Sequence, residues 1–184
     1  MVNISITNVR KYAIAFAAGA LVVGAVAGAS GFALAQSSRA TDGVGSQSYL
    51  TADAVQQATD KSESTFPEPL PEGVAWPVAA PTAMTAKNVK VDPGVPRATT
   101  SFYWLCAWED AYSKALHNGD QAAAAAALTT AERFRNLPFF KEDYDDPNNL
   151  WYTNVIEAAR NGDSSGIQAD LAQCTYFYES QPTK

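Results

Sequence analysis

The chain has 184 residues, ten prolines, two cysteines and a single histidine, and carries a formal charge of −6 at neutral pH. One histidine and two cysteines cannot assemble a Cys/His zinc site within one chain, and an acidic chain without a basic stripe is a poor candidate for nucleic acid or anionic lipid. The charge is uneven: acids and bases cancel, seven against seven, up to Tyr103, and twelve acids against six bases follow from Trp104. Acidity of this kind ordinarily serves solubility.

Residues 1–35 read as an export segment. Arg10 and Lys11 precede an uncharged run from Tyr12 to Ala35, rich in Ala and Gly, with Ile14, Phe16, Leu21, Val22, Val23, Val26, Phe32 and Leu34 as its large apolar members. Basic residues before such a run place the N-terminus inside and the remainder outside the cytoplasm. A helix over the run would reach roughly 36 Å, enough to cross a bilayer core of about 30 Å as a single-pass anchor. The run ends, however, in Ser30-Gly31-Phe32-Ala33-Leu34-Ala35, a helix breaker followed by a small-x-small site. This is how a secretory signal ends, so cleavage after Ala35 is favoured over anchoring. Both readings place everything after Gln36 outside the cytoplasm, where two thiols usually pair.

Residues 36–97 read as a linker. Gln36 to Ser48 is rich in Ser, Gly and Thr, the composition of a flexible tether. Tyr49 to Thr59 predicts a short helix with Thr51 as a candidate cap. Seven of the ten prolines then fall between Pro67 and Pro96, a density that forbids helix and central strand. Phe66, Leu70 and Trp76 could anchor this segment to a partner. A spacer, or a strap that lays the same residues on the chain's own module, is the preferred reading. Met84 to Pro96 reads as irregular chain.

Residues 98–184 contain an internal repeat. Trp108, Ala115, Asn118-Gly119-Asp120, Leu128 and Phe134 recur as Trp151, Ala158, Asn161-Gly162-Asp163, Leu171 and Phe177, each offset by 43 positions. Gly stops one helix by reaching the left-handed conformation, and Asp caps the next. The pattern predicts an all-α module of four helices made of two duplicated αα-hairpins. The expected helices begin at a cap among Thr99, Thr100 and Ser101, at Asp120, at Pro147 behind an Asp146 cap, and at Asp163. In the first, Trp104, Leu105, Trp108, Ala111, Tyr112, Ala115 and Leu116 share one broad face. In the last, Ile167, Leu171, Cys174 and Tyr178 make the inner stripe. A Cys106–Cys174 bridge would then tie the first helix to the last and close the bundle.

No catalytic motif emerges. Glu109 and Asp110 are adjacent on a helix, about 100° apart, and do not share a site. His117 stands at a helix C-terminus, where capping explains it. The connector acids Glu142, Asp143, Asp145 and Asp146 invite calcium or an acidic-loop enzyme, but Pro147 and Asn148 fall where a calcium loop needs a ligand and a glycine. No metal, cofactor or nucleic-acid partner is expected. The expected role is therefore non-catalytic: an exported envelope interaction or accessory protein, tethered or secreted, with an envelope or membrane protein as its partner. The rival is a small-ligand carrier using an aromatic face of Trp104, Trp108, Tyr112 and Trp151, with Phe66 and Trp76 as further contact residues.

Overall fold

One long helix organises the molecule. In a computed structural model that describes residues 2–4 and 49–182, Val95–His117 forms a 23-residue helix, α3 in the numbering used here. The described residues are mostly helical. The apolar run, the cleavage site after Ala35 and the Ser/Gly/Thr linker lie outside the described residues. Before α3 come β1 (Val2–Ile4), α1 (Ala52–Ser64), α2 (Thr82–Thr85) and β2 (Val89–Val91). After it come α4 (Gln121–Ala131) with a 3-10 turn over Glu132–Asn136, then α5 (Pro138–Glu142) and a 3-10 turn over Pro147–Asn149. A π turn over Tyr152–Glu157 runs into α6 (Ala158–Arg160), and α7 (Ser165–Leu171) and α8 (Thr175–Glu179) complete the order. Among the described residues no helix is long and apolar enough to cross a membrane.

Helix α3 is buried on several sides because α1, α4, α7 and α8 all pack on it. The run of alanines in α4 brings that helix close, with Ala124, Ala127, Leu128 and Ala131 buried against the aromatic core. α3 opens at Val95, earlier than Thr99–Ser101. Pro96 needs no N–H donor partner in a first turn. The hydroxyls expected to cap instead bond back along the helix: Thr100 Oγ1 donates to Pro96 O at 3.0 Å and Ser101 Oγ to Arg97 O at 2.8 Å. The segment 84–96 is likewise more ordered than an irregular chain. Val89–Val91 pairs in parallel with Val2–Ile4, and Leu50 forms an antiparallel bridge to Val91. Helix α1 starts after Thr51 as expected, with the Ala54 N–H donating to Thr51 Oγ1 at 3.4 Å, but it runs on to Ser64.

The two Asn-Gly-Asp loops have one hydrogen-bond pattern. Gly119 and Gly162 take φ of 73° and 90°. The Gly119 N–H donates to Leu116 O and the Asp120 N–H to Ala115 O; Gly162 and Asp163 do the same to Ala159 and Ala158. Both are Schellman stops. Asp120 Oδ1 then caps α4, accepting from the Ala123 N–H at 2.9 Å, whereas Asp163 Oδ1 accepts from the Ser165 N–H at 2.9 Å in a tighter turn, and α7 opens at Ser165 behind Ser164 rather than at Asp163.

The second half departs most from the expected straight helices. Asn148 and Asn149 have φ of 62° and 54°, so the helix there opens at Leu150 rather than at Pro147. Asp146 still serves it, Oδ1 accepting from the Trp151 N–H at 2.9 Å. The expected last helix breaks between Leu171 and Thr175. The break rotates the stripe, so that Phe177 is buried at 2% exposure and Tyr178 stands out at 46%. Gly166 marks a close approach of α7 to the π turn: a Cβ there would lie 2.3 Å from Asn154 O and 2.9 Å from Val155 Cα. Both are backbone atoms that cannot step aside, so Gly166→Ala is expected to cost roughly 1–3 kcal/mol. Urea unfolding measures it, and an unchanged midpoint would refute the close approach.

Cys106 and Cys174 form the disulfide, with Cα atoms 5.8 Å apart. It joins α3 to the start of α8 beside the cluster Tyr103, Ala107 and Phe177. The bond is consistent with an oxidising, extracytoplasmic compartment.

Candidate functional site

The Pro-rich segment is a strap on the module. Phe66 and Trp76 meet edge to face with centroids 5.2 Å apart. Phe66 lies 5.9 Å from Trp104 and Trp76 lies 5.5 Å from Tyr103. The Pro69 carbonyl accepts from both Trp104 Nε1, at 2.8 Å, and Trp108 Nε1, at 3.0 Å. Proline supplies a carbonyl without an N–H of its own, and a pre-set φ keeps the strap extended. Tyr103 Oη donates to Ala75 O at 2.7 Å, and Arg133 pairs with Glu68 at 3.0 Å. Trp104 is thus fully buried, and the strap lies over it and Trp108. Tyr112 is also buried, its hydroxyl donating to Ala159 O at 3.5 Å. Of the six aromatic residues read from the sequence as a possible ligand or partner face, only Trp151 borders the cavity described next.

That cavity, about 890 Å³, runs between the strap's end at Pro77–Met84, one face of α3, and the Tyr144–Val155 and Gly166–Ser180 stretches. Its lining is mainly apolar and aromatic, including Phe102, Leu105, Tyr144, Leu150 and Trp151. Its charged members are Glu109, Asp145, Asp146, Asp170 and Glu179, all acids; among the described residues no base lines it. Val78, 97% exposed, and Leu150, 39% exposed, present apolar surface at the border.

Sequence reading weighed Glu109 only beside its neighbour Asp110 and did not single out Asp170. Glu109 is completely buried on α3, and neither carboxyl oxygen receives a hydrogen bond from an N–H or O–H group. It faces Asp170 of α7, which accepts from Trp151 Nε1 at 3.2 Å. Burial, then the Asp170 charge, push the Glu109 carboxyl well above the ordinary carboxylate range. Burial also raises Asp170, although hydrogen bonds from Trp151 and from Glu109 work against that rise. Two carboxylates are both acceptors, so this contact holds when Glu109 keeps the proton and donates it to Asp170. The pair then carries one negative charge. Asp146 Oδ2, lining the same cavity, is a further buried acceptor without a donor. No sequence signal marked this pair: Glu109 and Asp170 lie on different helices, and helical periodicity reports only neighbours on one helix.

The other connector acids are engaged elsewhere. Arg97 forms ion pairs with Asp143 and, at 2.7 Å, with Glu142. Among the described residues no three His, Cys, Asp or Glu side chains converge on a metal-sized site.

Comparison with protein-family models, with curated proteins and with solved structures finds no match. The functional reading therefore rests on the cavity and its carboxyl pair.

Proposed function

We propose that this chain is an exported, non-catalytic binding module that takes up an amphiphilic small ligand at the cell envelope. The observation that carries this reading is the cavity, of a size that ligand pockets have, lined by aromatic and apolar side chains around a few buried polar groups. The disulfide supports the extracytoplasmic setting, and the export segment supplies the route, with cleavage after Ala35 releasing the module or retention anchoring it. Either outcome separates β1 from β2, cleavage by removing it and anchoring by leaving it on the inner side of the membrane, so the Leu50–Val91 bridge then holds that edge. The matching Schellman loops support a module that arose by duplicating one αα-hairpin, the second copy having been reshaped by its π turn and its broken last helix.

The role as an accessory to an envelope protein is compatible with this, the ligand-loaded module being what such a partner would meet. The test uses the disulfide-bonded protein and an environment-sensitive apolar dye, displaced by uncharged alkyl maltosides below their micelle concentrations. Saturable displacement with a stoichiometry of one per chain is expected. Failure of every chain length to displace the dye would overturn the proposal. The intact mass of the native protein from membrane and medium fractions is expected to begin at Gln36 in the medium. A full-length mass confined to the membrane would replace release by anchoring.

A further inference from the structure

We propose that the ligand of this cavity is a cationic amphiphile, an apolar body bearing a protonated amine that seats against Glu109, Asp170 and Asp146. The inference deepens the binding reading above and rests on it. Three observations converge. All charged side chains lining the cavity are acidic, so the site repels anions and attracts cations before any contact is made. It holds buried acceptors without donors: the Glu109 oxygen that does not carry the proton, and Oδ2 of Asp146. A buried acceptor that receives no hydrogen bond costs about 1–3 kcal/mol. A fold that keeps such atoms on the lining of one cavity is matched to something that brings the donors. An ammonium brings up to three N–H donors and the opposite charge together.

The aromatic lining fits the same chemistry. Trp151 and Tyr144 line the cavity alongside the carboxyl pair, and aromatic faces attract cations within about 6 Å of the ring centroid. Beyond the carboxyl pair, apolar lining extends through Leu105, Phe102 and Val95 toward Ala80 and Met84, which suits an alkyl or aryl tail. The tail supplies apolar burial, and the head supplies selectivity. An uncharged amphiphile would fill the apolar part but bring no charge to meet that of the carboxyl pair. An anionic one would add a like charge beside Asp170.

The experiment is calorimetric titration of the disulfide-bonded protein with decylammonium, decyl maltoside and decyl sulfate, each below its micelle concentration. The expected order is decylammonium tightest, at least about tenfold tighter than the maltoside, with the sulfate weakest. Asp170→Asn, which removes the charge of the pair, is expected to weaken decylammonium about tenfold or more while leaving decyl maltoside within about twofold; Glu109→Gln, which keeps that charge, is expected to weaken it less. Circular dichroism and an intact disulfide verify the fold of each variant. Asp146→Asn, nearer the surface, provides a second reading with the same sign should either buried variant fail to fold. Equal affinity for decylammonium and decyl maltoside would overturn the cationic assignment and leave the cavity reading standing. Absence of saturable binding by all three would overturn both. Decyltrimethylammonium, which lacks N–H donors, is expected to bind more weakly than decylammonium. Tighter binding would show that aromatic contact, rather than hydrogen bonding to the carboxyls, holds the head, and would overturn the assigned seat.

Discussion

Removing the disulfide, by Cys106→Ala with Cys174→Ala or by reduction and alkylation, is expected to lower the unfolding free energy by about 4 kcal/mol. The bond closes a loop with a sequence separation of 68, and the chain-entropy argument ties the loss to the larger freedom of the uncrosslinked unfolded chain. For a protein whose total stability is of order 5–15 kcal/mol, this is a large share. The consequence is also local. α8 is only five residues long, and its hold on α3 runs through Cys174 and the buried Phe177 against Tyr103, whose rings are 5.2 Å apart. Guanidinium unfolding of oxidised and alkylated protein measures the effect. The alkylated form should unfold at a lower midpoint and with a steeper slope, since its denatured state is more open. Coincident curves would mean that the bond constrains nothing the fold does not already hold. Under denaturing, non-reducing conditions, alkylation should label neither cysteine.

Glu109→Gln is expected to stabilise the protein at alkaline pH and leave it nearly unchanged in acid. Burial and the neighbouring Asp170 raise the Glu109 carboxyl well above its ordinary value in the folded state. The folded protein therefore holds a proton that the unfolded chain gives up near pH 4.5. The stability this contributes is complete below that value and is lost as pH rises through the folded value. Above it, two carboxylates would face each other in a buried site. The amide cannot ionise, so the variant escapes the loss and should gain roughly 1–4 kcal/mol over the natural chain at high pH. Glu63 acts with the same sign: burial, with Asp60 beside it, pushes it up to about 7. The Glu109 contribution is therefore read above that range. Asp146 and Trp151 also surround the site, and Tyr144 and Tyr178 are raised from 10.0 chiefly by burial, so they stay protonated across the range tested below. Thermal melts from pH 4 to 9 test the claim. Parallel curves for the two proteins across that range would mean that Glu109 does not carry the proton. A buried acid whose removal stabilises the fold has its use elsewhere, which is the relation expected between a ligand site and its scaffold.

Local chemistry was legible along the chain. Both Asn-Gly-Asp loops appear as stops, and Asp120 as a cap, because a left-handed glycine and a capping aspartate need only their immediate neighbours. Thr51 and Asp146 cap for the same reason. The disulfide could be named because the chain has only two cysteines. Boundaries were less legible. Thr100 and Ser101 carry capping side chains, yet Pro96 starts the helix before them; Asn148 and Asn149 shift the next helix onset by adopting left-handed backbone. Both are cases of two local preferences in competition.

The sequence by itself determined the helical class, the stops between helices, the bridged cysteines and the candidate anchors of the Pro-rich segment. Each follows from residue type and spacing within a few turns of chain. Only the tertiary structure decided where those anchors went, that the last helix would break and present Phe177 rather than Tyr178, and that Glu109 would meet Asp170 at the base of an acid-lined cavity. The reason is one of range. Caps and turns are set by hydrogen bonds a few residues apart, whereas the carboxyl pair depends on α7 packing against α3, with Gly166 seating α7 on the π turn and the disulfide tying Cys174, just beyond α7, to α3.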